Sequence, residues 1–149
     1  MSALTAARVQ LVFRGTIKKT TFPLKAGAKA FENGIAAIDS ASAGTVVPFA
    51  AASTTLLPIG WFLSSVDNSA GGAAVPVGVE LFKEKDIAYY DSVTGAGAVT
   101  AANLFSTLYG ASDHEVTTSS SSASKAGIMW AFGAQGYPGA IGVEAPSSF

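Results

Sequence analysis

Hydrophobic residues recur along this chain with a period of two or in short runs, and turn residues interrupt them before a helical face can build. The clearest case is Val75, Val77, Val79 and Leu81, which alternate strictly and share one face of an extended segment, with Glu80 on the other. Residues 9–14, 17–24, 45–49, 56–64, 87–93, 115–118, 128–132 and 140–143 read as further strands. Asn33-Gly34 is a strong turn dipeptide that breaks the stretch 30–39. Pro23 puts its strand at a sheet edge, and Pro58 with Gly60 marks a bulge or a close backbone approach. Residues 67–72 and the serine-rich tract 119–124 read as exposed loops. One helix candidate remains, N-capped by Thr100 and carrying Leu104, Phe105 and Leu108 on one face.

The expected fold is therefore all-β, a compact β-barrel or β-sandwich-like single domain with long loops and at most a short helix. Residues 1–15 are expected to form an N-terminal arm or edge strand, extended or not, and residues 16–149 a single β-rich domain. About half the residues are Ala, Gly, Ser or Thr, far above ordinary usage, and alanine contributes little burial. The core is accordingly expected to rest on Phe13, Phe22, Leu57, Trp61, Phe62, Leu81, Tyr89, Leu104, Phe105, Tyr109, Met129, Trp130 and Phe132.

Chemistry is scarce. There is no cysteine, which removes disulfides, thiolate metal sites and thiol catalysis and fits assembly in a reducing cytoplasm. The one histidine, His114, lies between Asp113 and Glu115, but neighbours along a strand point to opposite faces, so a solvent-facing polar turn is the simpler reading. Asp86 and Asp91 flank Tyr89-Tyr90, with Glu84 nearby; paired carboxylates can support glycoside chemistry or bind calcium, but the loop lacks the Asp/Asn spacing and central glycine of a calcium loop, and the tyrosines read as one core and one surface residue. The glycine clusters at 71–72 and 133–139 match no phosphate-binding motif. No catalytic residue, cofactor or metal is expected. The start of the chain lacks a basic segment followed by an apolar core, and no apolar run approaches the roughly 20 residues of a membrane span.

Net charge is −1, yet six bases and one acid fall before residue 35, against three bases and nine acids after it. The basic segment is either a solvated strand face or an arm that docks on an acidic partner. Direct nucleic-acid binding is not expected, because no aromatic platform separates the bases. The candidate partner-binding residues are Arg14, Lys18, Lys19, Lys25, Trp61 and Phe62.

Three phrases, taken in order, carry a resemblance. The first is Ile17-Lys18-Lys19-Thr20-Thr21-Phe22-Pro23-Leu24 leading into Ala26-Gly27, then Asn33-Gly34-Ile35 and Ile38-Asp39. The second is Leu57-Pro58-Ile59-Gly60, then Ser65-Val66-Asp67-Asn68-Ser69-Ala70-Gly71 and the strand at 75–81. The third is Leu108-Tyr109-Gly110-Ala111-Ser112-Asp113 with Val116-Thr117 and Lys125-Ala126-Gly127-Ile128. In this order the chain resembles the small head decoration, or cement, proteins of tailed bacteriophages.

That resemblance implies a non-enzymatic β-rich virion protein, made in the host cytoplasm, on the outer surface of the capsid. It would bind across neighbouring subunits of the major capsid protein, as a homo-oligomer with a trimer favoured, without a membrane or direct nucleic-acid contact. The alternative is a phage tail component or host-binding adhesin with a carbohydrate-binding β surface. A small hydrolase using Asp86, Asp91 or His114 would need those groups to converge.

Overall fold

A computed structural model describes residues 18–41, 44–50, 53–83, 86–134 and 137–146. The strand expected at 9–14, the arm at 1–15, Arg14 and Phe13 lie outside these. Among the described residues twelve strands form, in the order β1 Lys18–Leu24, β2 Lys29–Ala30, β3 Ile35–Asp39, β4 Val46–Pro48, β5 Leu56–Phe62, β6 Val66–Asp67, β7 Val75–Leu81, β8 Ile87–Ser92, β9 Thr107–Gly110, β10 Glu115–Thr117, β11 Lys125–Ala134 and β12 Tyr137–Glu144. The all-β expectation holds, and it takes the form of two closed five-stranded barrels, β1-β4-β3-β5-β7 and β10-β8-β12-β11-β9, with β2 and β6 as a separate ribbon.

Alternation along β3 explains how the barrels meet. Ala36 points into the first barrel with Leu24, Val46, Ile59, Phe62, Val77 and Val79, and Ile38 packs against the same cluster. Ile35 and Ala37 point the other way and join Phe49, Phe82 and the interior of the second barrel, including Tyr90, Leu108, Val116, Met129, Ile141 and Val143. The strand is thus buried on both faces. Hydrogen bonds reinforce the seam: Ile35 N–H donates to Asp113 O at 2.8 Å. The Ser124 hydroxyl donates to Ser53 O at 2.8 Å and accepts from Leu56 N–H at 3.0 Å. Ser124 is therefore a buried joint, although the serine tract reads as loop; Ser119–Ser122 are exposed as expected.

Pro58 and Gly60 do both things expected of them. The register between β3 and β5 slips there, with Ala36 opposite Gly60 and Ala37 opposite Pro58. A Cβ placed on Gly60 would sit 2.0 Å from the Glu80 carbonyl oxygen of β7, so only glycine lets the two backbones close. Asn33, at φ 68, turns the chain between β2 and β3 as its dipeptide requires.

The expected core needs correction. Phe62 and Met129 are buried, while Phe22, Leu57, Trp61 and Leu81 pack half-buried against the clusters. Tyr89, Leu104, Phe105, Trp130 and Phe132 are exposed. The reason is geometric: a five-stranded barrel has a narrow interior, filled here mostly by Val, Ile, Leu and Ala, with room for Phe62 in the first core and for Phe49, Phe82, Tyr90 and Met129 in the second, and the remaining large rings stay outside. The helix is also cut short. Asn103 Oδ1 accepts from Thr100 N–H at 2.8 Å, but only the 3-10 turn Ala101–Asn103 forms before Leu104 turns extended. Leu108 instead lies buried on β9, a strand the sequence reading missed.

Three substitutions test the close approach at Gly60 and the seam at Ser124. Gly60→Ala should cost about 2–4 kcal/mol, because backbone cannot yield as a side-chain tip does. Gly72→Ala, with nothing within 4 Å, should stay within about 0.5 kcal/mol of the parent in denaturant unfolding. Ser124→Ala should lose about 1–3 kcal/mol, since it leaves a buried carbonyl and N–H unpaired.

Candidate docking surface

The second barrel presents its aromatic surplus on one strand. Along β11, Met129 is buried and Ile128, Trp130 and Phe132 are 45%, 50% and 44% exposed. A register shift between Met129 and Ala131 leaves Trp130 as the extra residue of a bulge opposite β12, the type of irregularity that re-aims a side chain. Phe105, 63% exposed, meets the Trp130 ring edge-on at 5.3 Å and 85°. Leu104, 40% exposed, precedes it in the chain.

Phe105 occupies left-handed backbone at φ 64, a conformation that costs a bulky residue about 1–3 kcal/mol. Two hydrogen bonds hold it there: its N–H donates to Met129 O at 2.8 Å, and Met129 N–H donates to Ser106 O at 3.0 Å. These bonds explain why the helix stops, since β11 claims the polar backbone groups that another helical turn would need. The outcome is a strained residue holding an exposed aromatic ring against another one. Strain of this kind gathers where a side chain must be presented.

The residues singled out from sequence are dispersed. Phe62 is 1% exposed and turned into the first core, while its neighbour Trp61 reaches the surface half-buried, its ring 4.5 Å from Phe82 and at 87° to it. Lys18 opens β1 opposite Leu81, and Lys19 is exposed opposite Glu80. Lys25, half-buried, is close enough to Asp39 to help lower its pKa, behind the Thr55 hydroxyl at 2.6 Å and the Ala41 N–H. Lys29 pairs with Asp67 across β2 and β6 at 3.3 Å. Two of the early bases thus lie beside acids from later in the chain, so the charge asymmetry along the sequence is partly undone in space. Asp67 is held down to about 2 by Ser69, whose hydroxyl and N–H both donate to it, and then by Lys29.

The polar candidates do not build a reaction centre of the expected types. Ser112 Oγ lies 3.2 Å from His114 Nδ1, and Asp113 Oδ1 lies 2.9 Å from the same nitrogen. A relay needs the serine and the carboxylate on different ring nitrogens. Asp86 and Asp91 stand at opposite ends of β8, roughly 16 Å apart along an extended strand, beyond the ~5–9.5 Å that glycosidase carboxylates use. Asp86 accepts from Lys83 N–H at 2.7 Å, just before β8. Tyr89 is exposed and Tyr90 buried, as expected of adjacent strand residues, and burial pushes the Tyr90 phenol far up. Among the described residues no three His, Asp or Glu side chains gather as a metal site.

Comparison with protein-family models, curated proteins and solved structures finds no match to this chain.

The His114 environment yields a pH prediction. Its hydrogen bond to Asp113 raises the imidazole above the ordinary 6.5, aided by the charges of Asp113, Glu115 and Asp91 and opposed by slight burial. A raised folded pKa means the pairing stabilises fully below the unfolded value and fades as pH rises through the folded one. NMR titration should place His114 above 6.5, and Asp113→Asn should bring it down.

Proposed function

We propose that this protein is a virion structural subunit that decorates a bacteriophage capsid and stabilises it by binding across neighbouring major capsid protein subunits. It acts without a cofactor or catalytic residue, from the outer surface of the particle, as a homo-oligomer for which the resemblance favours a trimer. The ordered phrases shared with head decoration proteins support this reading. The observation that carries it is the Phe105–Trp130 pair, two exposed aromatic rings in contact, one of them on strained backbone.

Burying such side chains supplies about 1.5–3 kcal/mol each. Aromatic rings on β-strands also lose little side-chain entropy on docking. One modest interface per copy then suffices, because the capsid lattice repeats it many times. Lysines on the rim adjust the association rate and its salt dependence rather than the affinity.

Shells assembled from the major capsid protein provide the test. Trp130→Ser should weaken association about tenfold or more without lowering the unfolding midpoint. Phe105→Gly should weaken it too while holding or raising that midpoint, because glycine relieves the left-handed strain. Replacing Lys18, Lys19 and Lys25 together by Gln should change binding about threefold or less, and only at low salt. Unaltered binding by Trp130→Ser and Phe105→Gly would refute this docking surface. Shells that rupture at the same temperature with and without the protein would refute the stabilising role.

A further inference from the structure

A shallow depression of about 430 Å³ opens where the barrels meet, lined by Asn33, Trp61, Leu63, Glu80, Ile87 and Tyr89. It shares no residue with the Phe105–Trp130 surface. Each barrel contributes one aromatic, Trp61 from β5 and Tyr89 from β8. Glu80 lies directly opposite Trp61 on the neighbouring strand, so the two share a face. Tyr89 is 56% exposed, and its cross-strand partner Gly142 sets no side chain against it.

The polar inventory of the depression is unspent. The side chains of Asn33, Trp61, Glu80 and Tyr89 make no hydrogen bond or ion pair with another described residue, even though Lys19 lies opposite Glu80. Glu80 can only accept, the Trp61 indole can only donate, and Asn33 and Tyr89 can do both. A ligand that satisfies this set needs an apolar face for the rings and a rim that both donates and accepts. A pyranose has that construction, with C–H groups on its faces and hydroxyls around its edge. A proline-rich peptide, another ligand class that docks on aromatic rings, offers mainly carbonyl acceptors and leaves Glu80 without a donor.

We propose that this depression is a carbohydrate site for a flat, equatorially substituted hexopyranose of a β-linked chain, stacked on Tyr89 and Trp61 and hydrogen-bonded through Asn33 and Glu80. A second depression, of about 660 Å³, is also lined by Asn33 and contains Phe31, 52% exposed, so the next sugar unit has an aromatic surface to meet. Affinity per site is modest, and copies repeated on a surface add avidity.

The test titrates the full protein with cellohexaose and chitohexaose, followed by NMR shifts of backbone and indole N–H groups. Saturable shifts at Trp61, Tyr89 and Asn33 are expected for at least one of them, with Kd on the order of 1 mM. Tyr89→Ala should weaken this binding about tenfold or more, Glu80→Gln should weaken it less, and both should keep the parent unfolding midpoint. No saturable shift from either sugar up to about 20 mM would overturn the site. So would unchanged binding by Tyr89→Ala, or a polyproline peptide that occupies the depression when the sugars do not. The titration uses the free protein, so its failure leaves the capsid reading standing. Loss of capsid association by Trp130→Ser likewise leaves the sugar site untouched.

Discussion

Ile35 and Ala37 leave the first barrel through the face opposite to Ala36 and Ile38, and this makes β3 the strand that both cores share. Without it each barrel would keep only its own narrow interior. With it, Phe49 from the loop after β4 packs into the second core, against Gly110 of β9, where a Cβ would lie 2.4 Å from the Phe49 ring. The Ser124 hydroxyl and the Ile35–Asp113 bond satisfy backbone groups that this contact removes from water. Packing and hydrogen bonding thus reinforce one seam, and the Trp61–Tyr89 depression sits along it.

Narrow barrels also determine what the surface is made of. Branched aliphatics and alanine take most of the interior and leave room for few rings, Phe62 in one core and Phe49, Phe82 and Tyr90 in the other, so Trp130, Phe132, Phe105 and Tyr89 stand outside. An exposed ring in contact with another exposed ring is a costly arrangement in water unless a partner covers it. Phe105 adds backbone strain to that cost. The proposed cement role, in which the protein works by adhesion, would account for both features.

The charge pattern is less directive in space than along the chain. Six early bases suggest a basic arm, but β2 and β6 bring Lys29 to Asp67, and the fold brings Lys25 near Asp39. Strand pairing joins residues far apart in sequence, so a charge block in one dimension need not be a patch in three. The aromatic residues show the converse. Ile128, Trp130 and Phe132 alternate with buried Met129 and look like half of an ordinary amphipathic strand, yet the larger residues lie on the outer face. Period two shows that a strand has two faces. It does not say which face is the core.

The amino-acid sequence by itself determined the all-β class, the turn at Asn33-Gly34, the bulge at Pro58 and Gly60, and the alternation of β7. Each of these follows from local backbone preference or side-chain periodicity, which act within a few residues. The tertiary structure decided that there are two barrels, that Ser124 is a joint, and that the Thr100 helix stops after one turn. It also decided which aromatics are presented. Those outcomes depend on the barrel radius and on hydrogen bonds between residues far apart in sequence, such as Phe105 to Met129 and Leu56 to Ser124. No short window of sequence contains both partners of such a bond, and only closing the barrels brings them together.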